Sequence, residues 1–311
     1  MQYRTLGRTG LSVSALSFGA SSLGSVFRDV REAEGIRAVH AALDLGINYI
    51  DVSPYYGLTR AETVLGKALQ DVPRDRFFLS TKAGRYGVDA FDMSSARLLR
   101  SLDESLTRLH TDYVDILLLH DVEFVPLQQI LEESIPTLIE LKRQGKIRFY
   151  GISGLPLTVF SRVLAHADLD VILSYCHYSL NDTTLLGLLP SLRERGVGVI
   201  NASPLSMGLL TERGTPDWHL ASAALKKACQ RAAEYCRAQN KDLAQLAIQF
   251  AVRNPDIPTT LFSTANPDNV AKNVRWADEP VDPVWLENVL ALLKPVQDQT
   301  WPSGLPEYAQ T

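Results

Sequence analysis

The chain has 311 residues, 46% of them hydrophobic, with 31 Lys and Arg against 35 Asp and Glu for a formal charge of −4. That length holds two ordinary domains or one large α/β barrel, and the apolar fraction supports a sizeable core. A mildly acidic chain without a basic block argues against nucleic acid and anionic membrane as partners.

Residues 3–5 and 11–13, joined through Thr9-Gly10, read as a β-hairpin capping the bottom of a barrel. Short β-rich runs then alternate with amphipathic stretches: strands at 15–18, 47–50, 77–81, 114–119, 149–152, 171–175, 198–202 and 259–262. Between and after them, apolar residues three to four apart predict helices at 33–45, 61–69, 94–109, 127–144, 156–165, 182–195, 221–239 and 267–276. Ser94-Ser95 and Asp182-Thr183 are N-cap signals, and Gly46, Gly145 and Gly196 follow helix ends. Eight such units in one chain predict a parallel sheet closed as a (β/α) barrel rather than an open sheet. Residues 283–293 form an extra helix, and 294–311 a tail that carries Trp301. With no repeat, low-complexity tract or linker, residues 1–311 read as a single domain.

No run approaches the ~20 apolar residues of a membrane span, and residues 1–6 lack a charged-then-apolar leader, so the expected location is cytoplasmic. Cys176, Cys229 and Cys236 form no CxxC and no metal-ligand spacing with the 6 histidines, so no metal site is expected. The run from Gly19 to Gly24 lacks the GxGxxG spacing of a Rossmann fingerprint, and Gly66-Lys67-Ala68 is not a P-loop. A nucleotide has to be held some other way.

Asp51, Tyr56, Lys82 and His120 lie at or just beyond the ends of three consecutive strand candidates, where a parallel barrel keeps its chemistry. A tyrosine with a reference pKa of about 10 is a poor base near neutrality and needs a cation beside it. An ammonium roughly 4 Å away, at an effective dielectric of about 20, favours phenolate by roughly 4 kcal/mol, with desolvation opposing. Asp51 would keep Lys82 charged and His120 would orient the reacting oxygen. The set reads as a device for moving a proton on or off a carbonyl or carbinol oxygen, with hydride left to a cofactor.

The run Gly46-Ile47-Asn48-Tyr49-Ile50-Asp51 leading to Tyr55-Tyr56-Gly57, with Thr81-Lys82, Asp112-Tyr113-Val114-Asp115-Ile116 and His120, resembles the aldo-keto reductases over nearly the whole chain. Ser174-Tyr175-Cys176-His177-Tyr178, the loop from Ala202 to Thr211, and Thr300-Trp301-Pro302-Ser303-Gly304 are similar to the branch of that family that oxidises L-galactose in plants. The resemblance implies a (β/α)8 TIM barrel with an N-terminal hairpin cap, an extra C-terminal helix and a tail over the active-site mouth. It implies a nicotinamide dinucleotide lying extended across the C-terminal rim. Tyr56, chosen over Tyr55 by its spacing of five from Asp51, becomes the general acid/base, tuned by Lys82 and Asp51, with His120 completing the pocket.

By the same resemblance Ser153 and Gly154 stand where Ser-Asn usually holds the carboxamide, Tyr175 where a Gln is common, and Ala202 where an aromatic stacks on nicotinamide. Ser203, Leu205, Met207 and Gly208 would line the pyrophosphate, and Ser263, Asn269 and Asn273 the adenosine end. No Lys or Arg occurs between Thr259 and Ala271 to pair a 2′-phosphate, which predicts NAD. Trp301 is the aromatic expected to stack on a sugar ring, beside Tyr56 and His120. The implied activity is NAD-dependent oxidation of a free aldose, L-galactose first, at C1 to its lactone, by a monomer or small homo-oligomer. A broad NADPH-dependent aldehyde reductase and a cofactor-binding regulatory subunit without turnover remain open.

Overall fold

The computed structural model describes residues 1–305 and Tyr308. Strand β1 (Tyr3–Thr5) pairs antiparallel with β2 (Ser12–Ser14), Tyr3 opposite Ser14, around a 3-10 turn at Gly7–Thr9. Eight parallel strands follow: β3 (Leu16–Gly19), β4 (Tyr49–Asp51), β5 (Phe78–Ala83), β6 (Val114–Leu119), β7 (Ile147–Gly154), β8 (Val171–Tyr175), β9 (Gly198–Ala202) and β10 (Thr259–Phe262). Each bonds to the next in chain order and β10 closes on β3, so the sheet is a complete barrel. β6, β8, β9 and β10 occupy the expected residues, and β7 runs further at both ends.

Around it stand α1 (Glu32–Asp44), α2 (Arg60–Leu69), α3 (Ser95–Leu109), α4 (Leu127–Gln129), α5 (Ile135–Arg143), α6 (Leu157–Leu164), α7 (Leu189–Glu194), α8 (Ala223–Ala238), α9 (Leu243–Val252), α10 (Pro267–Asp278) and α11 (Pro283–Leu293). The expected helix at 127–144 is interrupted by a π-helical turn at Ile130–Ser134, placed where Pro136 has no N–H to give the preceding turn. Residues 182–195 form only α7 after a 3-10 turn, because Asp182 bonds locally to the Thr184 N–H at 2.9 Å. Ser94 makes no side-chain cap; Glu133 accepts the Ser95 N–H at 2.7 Å in its stead. Helix α9 was not expected, since eight of its residues are buried and no amphipathic stripe marks it.

Barrel strands send alternate side chains inward and outward. On β5, Thr81 points out and donates to buried Glu62 at 2.6 Å, whose other oxygen takes Arg108 Nε at 2.7 Å. That anchor sets the face of the strand, so Ser80 and Lys82 point in. Leu6, Leu11 and Val13 of the hairpin plug the bottom of the barrel, packing with Tyr49, Ile116, Leu118, Val171, Leu173, Ile200 and Leu261. Each such side chain contributes about 1.5–3 kcal/mol by burial. Asp51, Lys82 and His120 stand at the other end of the barrel, at the C-terminal ends of β4, β5 and β6. Among the described residues no helix is long and apolar enough to cross a membrane, and all three cysteines are free and buried thiols.

Candidate active site

Asp51 closes β4, Lys82 sits near the end of β5, and His120 follows β6 directly. Tyr56 comes from the turn after β4, held by a close backbone crossing: a Cβ on Gly57 would lie 2.1 Å from the Gly24 carbonyl oxygen, and Gly57 has φ +62. Only glycine fits there. The turn presses against the loop after β3 and the phenol is aimed over the barrel.

The four residues converge. Lys82 Nζ, 1% exposed, forms a short ion pair with Asp51 and donates to the Val52 carbonyl at 3.1 Å and to Tyr56 Oη at 3.3 Å. A relay fixes the far side of Asp51: Ser80 donates to its Oδ1 at 2.7 Å and lies 2.8 Å from the Tyr49 hydroxyl. His120 Nδ1 is 2.9 Å from Ser53 Oγ, which itself accepts the Tyr55 N–H at 3.1 Å. The His120 ring stands perpendicular to the Tyr56 ring with their centres 5.7 Å apart, and its Nε2 lies 3.8 Å from Asp121 Oδ2.

Burial alone would lower the Lys82 ammonium, but Asp51 and Tyr56 outweigh it and hold it above its ordinary value. His120 is pushed well down by burial and then by Lys82 and Arg85, so its imidazole is neutral. Tyr56 departs from the expected tuning: burial raises its phenol more than Lys82 lowers it. Desolvation wins although the Tyr56 side chain is only partly buried, and the phenol is neutral at pH 7.

The residues expected along a cofactor occupy the remaining arc of the rim. Ser153 and Gly154 end β7, beside Leu173 and Ser174 of β8, and Tyr175 ends β8 beside Ala202. Ser203, Met207 and Gly208 have φ of 58, 54 and 108, so the loop after β9 coils tightly, and Leu205 packs against the core from within it. Exposed Ser263 bonds to Ser21 Oγ and to the Ser22 N–H at 2.9 Å, joining the loops after β10 and β3. Asn269 and Asn273 lie one turn apart on α10. Its two cations are engaged elsewhere, Lys272 with Asp242 at 3.0 Å and Arg275 with Glu279 at 3.4 Å. Trp301 packs edge-on against His219 at 4.5 Å.

Three charged residues beside the tetrad escaped the sequence reading. Asp121, in the left-handed region at φ 55, makes a short ion pair with Arg85, whose guanidinium lies 4.0 Å from the centre of the Tyr55 ring. Glu123 is buried; its Oε1 accepts the Leu155 N–H at 3.1 Å and Ser303 Oγ at 2.7 Å, and Oε2 stands against Gly154 without a partner. Burial first, then the neighbouring Asp121, pushes the Glu123 carboxyl up to about 8. The available signal was two acids, Asp121 and Glu123, in the otherwise apolar stretch His120-Asp121-Val122-Glu123-Phe124-Val125.

The family model described as "Aldo/keto reductase family" matches residues 15–289. The chain is 50% identical to L-galactose dehydrogenase of Arabidopsis thaliana over 314 aligned residues, 98% of each protein. It is 38% identical to D-arabinose 1-dehydrogenase of Saccharomyces cerevisiae over 78% of this chain and 76% of that one. Its fold matches the holo form of an aldo-keto reductase from Bacillus halodurans with a TM-score of 0.81, 27% identity and full coverage of both chains.

Proposed function

Because this chain belongs to the aldo/keto reductase family, we propose that it is a sugar dehydrogenase that oxidises a free aldose at C1 to its lactone, with NAD as the acceptor. L-galactose ranks first among aldoses, on the 50% identity to the Arabidopsis L-galactose dehydrogenase. The observation that carries the reading is the Tyr56–Lys82–Asp51 chain, Asp51 and Lys82 buried and Tyr56 partly so, with Lys82 Nζ 3.3 Å from the phenol and neutral His120 beside it.

The rim fits the cofactor. Ser21, Ser22, Ser263, Asn269 and Asn273 are neutral hydroxyls and amides, suited to ribose hydroxyls, whereas a 2′-phosphate calls for a cation. Lys272 and Arg275 are already paired with acids. Bound there, NAD supplies the hydride acceptor. The chain's own residues handle the proton. With the Ser53 hydroxyl as donor to His120 Nδ1, 2.9 Å away, the tautomer assigned to this reading carries its proton on Nε2, where it binds the C1 oxygen. Tyr56 takes the proton of the C1 hydroxyl, and Lys82, kept charged by Asp51, stabilises the phenolate that this transfer requires. Aldose and NAD give lactone, NADH and a proton.

Initial-rate NADH formation over a panel of L- and D-aldoses, with NAD and NADP side by side, tests the reading. Selective turnover of L-galactose with NAD is the expected result. Turnover of aldehydes with NADPH alone overturns the cofactor argument, and NAD binding without turnover of any sugar or aldehyde indicates a regulatory subunit. Cytoplasmic work on a small molecule, as a monomer or small homo-oligomer, belongs to the same proposal.

A further inference from the structure

A second buried ion pair lies alongside the first, and proton transfer does not use it. Asp121 is 2% exposed, its Oδ2 pairs with Arg85 Nη1 and lies 3.8 Å from His120 Nε2, and its Oδ1 is buried with no partner of ordinary hydrogen-bond geometry, the Tyr175 hydroxyl being close enough to favour its charged form. Arg85 Nη2 donates to the Tyr55 hydroxyl at 3.1 Å, and its guanidinium faces the rings of Tyr55 at 4.0 Å, Phe91 at 5.1 Å and Phe124 at 5.6 Å. The Tyr55 ring in turn meets His120 edge-on at 5.8 Å. Tyr55, Arg85, Asp121 and His120 therefore form one connected wall around His120 Nε2.

Stability is a poor reason for this arrangement. A buried pair is seldom worth more than apolar residues of the same volume, and a buried carboxylate oxygen without a well-formed hydrogen bond is a cost. Asp121 also adopts a left-handed backbone at φ 55, a strain that collects at functional sites. A hydroxyl both donates and accepts, and a carboxylate next to a guanidinium is its complement. In an aldose the hydroxyl nearest the C1 oxygen is the one on C2.

We propose that the Asp121–Arg85 pair receives the hydroxyl on the carbon next to the reacting one, and so selects 2-hydroxy substrates over simple or 2-deoxy ones. This rests on the dehydrogenase reading for its physiological substrate. The requirement for a neighbouring hydroxyl holds in either reaction direction. Asp121 accepts from the hydroxyl and Arg85 donates to it, while Tyr55 holds the guanidinium in place. Asp121 and Arg85 thereby become specificity-determining residues.

The test uses two substrate pairs that differ by one hydroxyl: an oxidised aldose against its 2-deoxy counterpart, and lactaldehyde against propanal for reduction with NADH. In the wild type the hydroxylated member is favoured about 10–100-fold in kcat/KM, the size of one charge-assisted hydrogen bond. Asp121→Asn and Arg85→Met lower the hydroxylated member about tenfold more than the other, chiefly through KM. NADH affinity by fluorescence titration and the melting temperature serve as checks on cofactor binding and fold. Equal rates within both pairs, or losses that are the same with and without the hydroxyl, overturn the proposal. A wild type that oxidises no aldose removes the function proposed above, and the lactaldehyde–propanal pair then decides this one alone: preference for lactaldehyde that depends on Asp121 supports it, and its absence or a failure to reduce lactaldehyde refutes it.

Discussion

Replacing Lys82 by Met removes the cation beside the phenol while keeping a side chain of similar length. Lys82 Nζ is 3.3 Å from Tyr56 Oη and 1% exposed. At an effective dielectric of about 20, Coulomb's law puts the attraction between that ammonium and a full phenolate at roughly 5 kcal/mol. With about half of the phenolate charge developed in the transition state, roughly 2.5 kcal/mol is lost, or on the order of 10²-fold in kcat/KM. The same change strands Asp51, and an uncompensated buried carboxylate costs about 3–5 kcal/mol of stability. A companion variant, Lys82→Met with Asp51→Asn, removes both charges and recovers the fold without the rate. The assay is initial-rate NADH formation between pH 6 and 10, with melting followed by circular dichroism. Wild-type oxidation climbs with pH, because burial holds the Tyr56 phenol above its ordinary value and the proton must leave it. The Lys82→Met curve lies far below at every pH. If Lys82→Met turned over within threefold of wild type with an unchanged pH profile, the electrostatic account of Tyr56 would be refuted.

Tyr56→Phe is expected to lose about 10²–10⁴-fold in kcat, with NADH affinity by fluorescence titration unchanged, since the phenol acts on the proton and not on the cofactor. Ser263→Lys places a cation on the rim where Ser21 and Ser22 now bond Ser263, and it shifts the ratio of NADP to NAD affinity at least tenfold toward NADP; an unchanged ratio shows that this edge does not read the 2′ position. Glu123 gives a pH dependence of stability. Its carboxyl rises from 4.5 to about 8 in the fold, so the native state holds the proton more tightly than the unfolded chain, and stability declines as pH rises through that window. Glu123→Gln flattens the slope of melting temperature between pH 5 and 9, and an equally steep slope in the variant shows that other groups set it.

Much of this was legible along the chain. The eight strands could be read because each is a short apolar run bounded by turns, and β6, β8, β9 and β10 begin and end where the residue pattern does. Asp51, Tyr56, Lys82 and His120 could be singled out because each stands where such a run stops. Helix α9 was hidden for a physical reason: with eight of its ten residues buried, it carries almost no polar face for a periodicity to detect. The break at Ile130–Ser134 and the shortened α7 follow from single local bonds, made or lost, which the apolar period does not register.

The sequence by itself determined the type of fold and which residue types carry the chemistry, since hydrophobic period and strand ends are properties of neighbours in the chain. Tertiary structure decided the rest, because burial and charge pairing depend on residues far apart. It set the competition over Tyr56, where desolvation outweighs Lys82 although the ammonium is close. It brought Arg85 of the loop after β5 onto Asp121 of the loop after β6, and Ser303 of the tail onto Glu123. None of these pairs shares a spacing. They meet because the closed barrel gathers the C-terminal ends of its strands around one mouth.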